Sequence, residues 1–291
     1  MLGLELRDAG VTAIAVDDGG RVLARAVLES TGGLEALALD AVDAVARVSG
    51  PGPLGIACMY PESSSLTAIV TALKARHVQE GVVPSGAAAA VAEAWVGAAR
   101  HSRDVVFFGV ADHATAGIVR HGMPILGARR RAASIGWLAL NPVEREDYRK
   151  TGCLEAEVAA AGIVRRLIWR IKAGDHSRVV DAVAGDLSAV TADQVLNAAR
   201  DGDGVSISVV RDTAKYLGMA AANLVAVADP EMLVLGGIMA SAGDLLFELV
   251  RAELARRLPR PMMDALEVAA AALGDEAPAI GAARLATAAR A

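Results

Sequence analysis

Residues 81–100 read GVVPSGAAAAVAEAWVGAAR: a short apolar strand, 81–83, feeding an alanine-rich helix that runs from about 86 to 100. Pro84-Ser85-Gly86 forms the joint between them. Alternation of strand and helix continues on both sides of this joint. Upstream, apolar runs at 2–7, 11–17 and 21–28, split by Asp-Ala-Gly and Asp-Asp-Gly-Gly, predict three antiparallel strands. A helix over 33–48 stops at Ser49-Gly50-Pro51-Gly52, and a strand at 53–58 and a helix near 65–77 follow. Downstream, strands at 104–110, 115–120 and 123–126 turn at His121-Gly122, so a three-strand opening recurs roughly a hundred residues after the first. Helices are then expected at 153–172, 176–184, 191–200, 206–228, 243–257 and 278–290, with strands at 231–235 and 265–270.

The composition narrows the class. At 291 residues, with 54% hydrophobic and 22% charged residues, the chain is expected to be soluble and to bury a large core. Aromatics make up only 3%, so that core must be aliphatic. A net charge of −5 gives no basic surplus for nucleic acid and little attraction to anionic membranes, so neither is expected as a partner. Cys58 and Cys153 are too few for a disulfide framework. Charges appear by the fifth residue, which argues against a signal peptide, and no run reaches the ~18 apolar residues of a membrane span. The expected location is cytoplasmic. Trp95 and Trp169 are read as core packing, and His77, His101, His121 and His176 as surface residues.

Four segments, in order along the chain, carry a resemblance. AVAEAWVGAARHSRDVVFF, GCLEAEVAAAGIVRR (152–166), ADPEMLVLGGIMASAGDLL (228–246) and LGDEAPAIGAARLA (273–286) resemble the ROK family of bacterial sugar kinases and sugar-responsive repressors. With the repeated strand opening, the resemblance implies an α/β chain of the actin-like ATPase (sugar kinase/ribonuclease H-like) fold. Its N-terminal lobe would be 1–104 plus the helix 278–291, its C-terminal lobe 105–277, and the ligand site the cleft between them. It also implies a homo-oligomer, a dimer. The repressors of the family carry a DNA-binding arm ahead of the first strand; here the first strand begins at residue 2, so a regulator of that design is not expected.

The chemical residues depart from the family pattern. Where the family opens with the phosphate turn D-x-G-G-T, this chain has Glu5-Leu6-Arg7-Asp8-Ala9. Where it has G-T-G-x-G-G-G, this chain has Ala111-Asp112-His113-Ala114-Thr115-Ala116-Gly117. Glycines let backbone N–H groups approach a phosphate, and carboxylates repel one. Pro84 and Ser85 stand where the family has an Asn-Asp pair that orients sugar and accepts the hydroxyl proton. Ser134 and Trp137 replace the Glu and His of the sugar clamp, and Glu146, Tyr148 and Cys153 stand at zinc-cysteine positions, too few ligands for tetrahedral zinc. Cys153 then reads as a small buried hydrophobe. Glu155 matches the family's sugar-contacting glutamate, Gly236-Gly237 its nucleotide-side loop, and Cys58-Met59-Tyr60-Pro61-Glu62 replaces a Pro-Gly near the sugar.

Two new features stand near the inferred cleft. Asp112-His113 offers an acid/base pair, although neighbours on a strand point to opposite faces. Arg129-Arg130-Arg131 offers guanidinium groups for an anion. The site residues expected from all this are Asp112, His113 and Glu155 for any catalysis. Ser85, Tyr60, Arg130, Ser134, Trp137 and Glu155 are expected to contact a small-molecule ligand, and Gly236 and Gly237 a nucleotide if one binds. No metal and no cofactor are expected. Three readings stay open: a cleft that binds a metabolite or partner without ATP, a hexose kinase using ATP and magnesium with Asp112 or Glu155 as a rearranged base, or ATP-independent chemistry at Asp112, His113 and Glu155.

Overall fold

The protein is described by a computed structural model, which covers residues 1–8, 10–29, 33–59, 64–77 and 79–288. The first half supplies β1 (Leu2–Arg7), β2 (Gly10–Val16), β3 (Val22–Glu29), α1 (Leu34–Ser49), β4 (Leu54–Cys58), α2 (Ser64–Lys74), β5 (Gln79–Pro84) and α3 (Ser85–Trp95). The second begins with β6 (Val105–Val110), β7 (Ala114–Arg120) and β8 (Met123–Pro124). It continues through α4 (Glu146–Thr151), α5 (Cys153–Val158), α6 (Ala160–Lys172), α7 (Val179–Ala182), α8 (Ala192–Arg200) and α9 (Gly204–Ala228). After these come β9 (Met232–Gly237), α10 (Ile238–Ser241), α11 (Gly243–Arg257), α12 (Arg260–Ala265), β10 (Glu267–Ala270) and α13 (Ala277–Ala288).

Among the described residues the strands form two five-stranded sheets, ordered β3-β2-β1-β4-β5 and β10-β9-β6-β7-β8. Each opens with an antiparallel meander and adds two parallel strands, so the repeat predicted from sequence is present. In β1, LGLELR, Leu2, Leu4 and Leu6 point into a cluster with Val42, Ile69 and Leu73. The alternate residues Gly3 and Glu5 therefore take the other face, toward α13 and the cleft.

Two small-residue helices, α3 and α13, lie between the sheets. α13 packs on β1 and β4, and α3 on α13, β6 and β7. Every residue of α3 from Ser85 to Glu93 is buried, as an apolar helix covered on all sides requires. The approaches are backbone to backbone. A Cβ on Gly281 would lie 1.8 Å from the Ala88 carbonyl oxygen, and one on Gly86 would lie 2.2 Å from that of Ala116. At the far end of α3, the buried Glu93 carboxylate accepts from the N–H of Ala98 at 2.7 Å and those of Ala272 and Leu273 at 3.0 Å each. The chain passes from one sheet to the other through the first of these segments and returns through the second. One side chain thus ties both crossings.

Several expected elements differ. The helix predicted to reach residue 100 ends at Trp95, where the Glu93 carboxylate turns back to take the Ala98 N–H. The continuous helix 153–172 breaks at Ala159, whose backbone is extended. Its freed carbonyls do not go unpaired: Arg165 donates to Ala156 O, and Arg166 to Glu157 O at 2.7 Å. The helix expected at 176–184 is only the four-residue α7. Trp169 is not core but 46% exposed, and the His77 ring is tucked against Asp43 at 2.9 Å. Cys58 and Cys153 are buried, and neither forms a disulfide. No described helix is long and apolar enough to cross a membrane.

Candidate functional site

The cleft between the sheets holds two adjoining compartments, with Met59, Ser85 and Thr115 on the wall they share. The first brings together Ser85, Arg130, Ser134, Trp137 and Glu155, five of the residues expected to meet a ligand. Tyr60, also expected there, lies outside the described residues. The second compartment, about 320 Å³, is walled by Glu5, Arg7, Asp8, Asp112, His113, Gly237 and Asp275 among others. Gly237 stands at the end of β9 with φ +61°, and a Cβ there would lie 1.9 Å from the Val110 carbonyl oxygen, so only glycine fits. Gly236 is buried within β9 and lines neither compartment.

Ser85 is the first residue of α3, and its hydroxyl hydrogen-bonds to Glu5 on β1. Burial pushes the Glu5 carboxyl up to about 7, and the Ser85 hydroxyl and Arg7 offset only part of that effect. Glu5 thus sits at a pH where it both holds and yields a proton. It was missed as a site residue, although the lone carboxylate on the Gly3–Glu5–Arg7 face of an otherwise apolar strand marks it.

His113 is not paired with its neighbour. Asp112 is exposed on the turn between β6 and β7, where the Ala111 N–H donates to the His113 carbonyl at 3.0 Å. The His113 ring reaches away from it: Nδ1 lies 3.1 Å from Glu155 Oε1, and Nε2 lies 2.7 Å from Asp8 Oδ2. The second Glu155 oxygen accepts the Ala114 N–H at 3.1 Å. A carboxylate from the first half and one from the second therefore hold one imidazole across the cleft. The hydrogen bond to Glu155 leads in raising His113 to about 9; burial opposes it and Asp8 adds to it. The ring is an imidazolium at neutral pH.

Because the folded value lies above the ordinary 6.5, the bridge contributes its full stability below about pH 6.5 and loses it as pH rises through about 9. With Asp8 mostly exposed, the contribution is about 1–2 kcal/mol. The melting temperatures of the parent protein and of His113→Gln should differ most near pH 6 and converge by about pH 10. A difference that stays constant across this range would refute the bridge as the cause.

Arg130 holds the wall of the first compartment. Its backbone is left-handed, φ +55°, and its Nη1 donates to Val82 O at 2.6 Å, joining the loop of the second half to β5 of the first. Ser134 donates to Arg131 O at 2.8 Å, shaping that loop, and Trp137, 54% exposed, forms the lip. In the segment 146–157, Glu146 is exposed and accepts from Lys150. Tyr148 is buried and its hydroxyl donates to Glu157, and Cys153 is buried nearby. No group of three or more His, Cys, Asp or Glu among the described residues is placed to hold a metal ion.

The model of the ROK family matches residues 61–289. The glucokinase of Halalkalibacterium halodurans is 34% identical over 197 residues, which cover 66% of this chain and 59% of that enzyme. The DNA-binding transcriptional dual regulator NagC of Escherichia coli is 28% identical over 162 residues, covering 55% of this chain and 38% of the regulator. The match thus spans less than two thirds of these relatives' own length. Among solved structures, the ROK family glucokinase from Streptomyces griseus in complex with glucose and AMPPNP superposes with a TM-score of 0.80 at 22% identity, covering 99% of each chain. That likeness extends the fold to the β1 and β2 region ahead of residue 61. The predicted α/β architecture is therefore the fold of the ROK sugar kinases, and the chain belongs to the ROK family.

Proposed function

We propose that this ROK-family chain binds a small, uncharged, polyhydroxylated metabolite in its cleft and does not transfer phosphate from ATP. The observation that carries this reading is the charge of the larger compartment: the carboxylates of Asp8, Asp112 and Asp275 and a half-ionised Glu5, against Arg7 and the His113 imidazolium. In the family pattern this space belongs to the nucleotide phosphates, cradled by glycine N–H groups. A triphosphate entering here meets net negative charge at close range. Ser85 supplies no carboxylate at the head of α3. The first compartment keeps the elements that suit hydroxyl groups: Glu155, the Ser85 hydroxyl, the Arg130 edge and the Trp137 ring. The residues at the family's zinc positions do not fit that metal, since Tyr148 is committed to Glu157 and Glu146 to Lys150. A homodimer belongs to the same reading.

One observation favours a second reading. Ser85 and Glu5 form a hydroxyl–carboxylate relay whose carboxylate titrates near neutrality. A substrate hydroxyl beside Ser85 would pass its proton through that hydroxyl to Glu5, which supplies the base a phosphoryl transfer needs. Thermal melting with Mg-ATP, ADP, neutral hexoses and sugar phosphates separates the two, because a ligand that binds only the folded state raises the melting temperature. A rise with a neutral sugar and none with nucleotide is expected. A rise with Mg-ATP would sink the first reading, and phosphate transfer to the sugar that is lost in Glu5→Gln while the Mg-ATP rise persists would establish the second.

A further inference from the structure

Away from the cleft, α6, α9 and the ends of α5 and α11 line an open concavity of about 480 Å³. Five cations line it, Arg145, Arg165, Arg166, Lys215 and Arg257, with the carboxylates of Glu157 and Asp212, while Asp147 pairs with Arg165 at 3.0 Å and Glu253 pairs with Arg257 from just outside. In an acidic protein such a concentration of basic groups in one concavity runs against the overall charge of −5.

The arrangement is built rather than incidental. Glu157 is buried and acts as its anchor: it accepts from the Tyr148 hydroxyl, from Arg166 at 2.6 Å and from Arg145 at 3.3 Å. Arg166 is further fixed to Thr213 at 2.8 Å. Arg145 and Arg165 lie over the exposed Trp169 ring, their guanidinium carbons 5.7 and 5.0 Å from its centroid. A guanidinium held by a ring face keeps its N–H edge for other acceptors. Arg145 gives one hydrogen bond to protein, the long one to Glu157, and Lys215 gives one, to Asp212 at 3.0 Å. The Nε of Arg165 is buried without an acceptor. Arg165, Arg166 and Arg257 are engaged by protein acceptors, so the donors left over beside this space are chiefly those of Arg145 and Lys215, and the space is large enough for a small ligand.

We propose that this concavity is a second binding site, separate from the cleft, for a small phosphate-bearing anion. Planar guanidinium forks match phosphate oxygens in pairs, and Lys215 adds a point charge opposite them. Trp169 leaves an apolar edge for the organic part of such a molecule. The net negative charge of the chain disfavours extended polyanions such as nucleic acid, so a compact phosphate compound is the ligand class.

The test is calorimetric titration of the full chain with inorganic pyrophosphate, followed by the same titration with glycerol 3-phosphate. Saturable binding is expected, weakened at least about tenfold in Arg145→Ala and in Lys215→Ala, because each loses a charge-assisted donor. His113→Gln in the cleft should bind the probes as the parent does. Absence of saturable binding by either probe would overturn the site. So would binding lost in His113→Gln and kept in Arg145→Ala, which would put the anion in the cleft and count against the charge argument made for it. Binding of RNA or a phosphopeptide with no response to the small phosphates would equally reject a small-molecule site.

Discussion

Replacing Glu93 with alanine is expected to lower the stability of the whole chain by about 2–4 kcal/mol, read as a shift in the urea midpoint at unchanged slope. The carboxylate is fully buried and satisfies three backbone N–H groups in two segments that are far apart in sequence. Alanine leaves all three without an acceptor and opens a cavity in the α3 layer. Water reaches the exposed Ala272 and softens the loss there, which keeps the expected cost below the full sum of three orphaned donors. Glu93→Gln retains one acceptor oxygen and should cost about half as much. Equal stability of Glu93→Ala and the parent would mean that the crossings are held by packing alone.

The second large effect concerns Gly281. Even a methyl group there would sit 1.8 Å from the Ala88 carbonyl oxygen and 2.5 Å from its carbon. The contact is helix backbone against helix backbone, so no side chain can swing aside. Retreat of α13 is blocked as well, because a Cβ on Gly55 of β4 already would stand 1.9 Å from Ala282 O. Gly281→Val is expected to cost at least about 4 kcal/mol and to leave little folded protein at 37 °C. Gly243→Ala, at the first residue of α11 with nothing within 4 Å, should change stability by no more than about 0.5 kcal/mol and serves as the control. If both variants melt like the parent, the glycine contacts are not what fixes the spacing of α3 and α13.

The two sheets were legible because their strands announce themselves locally. Period-two alternation in LGLELR and glycine-bearing turns after it set the meander without reference to the rest of the chain. The break at Ala159 was not legible, since the arginines that take the freed carbonyls sit a turn or more further on and act through space. In the cleft, Ser85, Arg130, Ser134, Trp137 and Glu155 line one compartment; all but Arg130, which stood out as a basic run, were located by the family pattern. The partner of His113 was sought in its neighbour Asp112. The true partners, Asp8 and Glu155, lie 105 and 42 positions away. Pairing across a cleft leaves no trace in local spacing, whereas the fold brings the turn after β1 against the turn after β6.

The position of α3 between these contacts gives the molecule a lever. Eight residues at helical rise separate Ser85, at the cleft, from Glu93, at the crossing, a distance of about 12 Å. With both crossings fastened at Glu93, a relative rotation of the sheets would have its pivot there. Over such an arm a turn of about 10° carries the cleft walls apart by about 2 Å. Such a turn would take Asp8 out of hydrogen-bond reach of His113, which it meets at 2.7 Å. The buried carboxylate and the cross-cleft imidazole thus stand at the two ends of one rigid helix, so loosening Glu93 is expected to loosen the contact between Asp8 and His113.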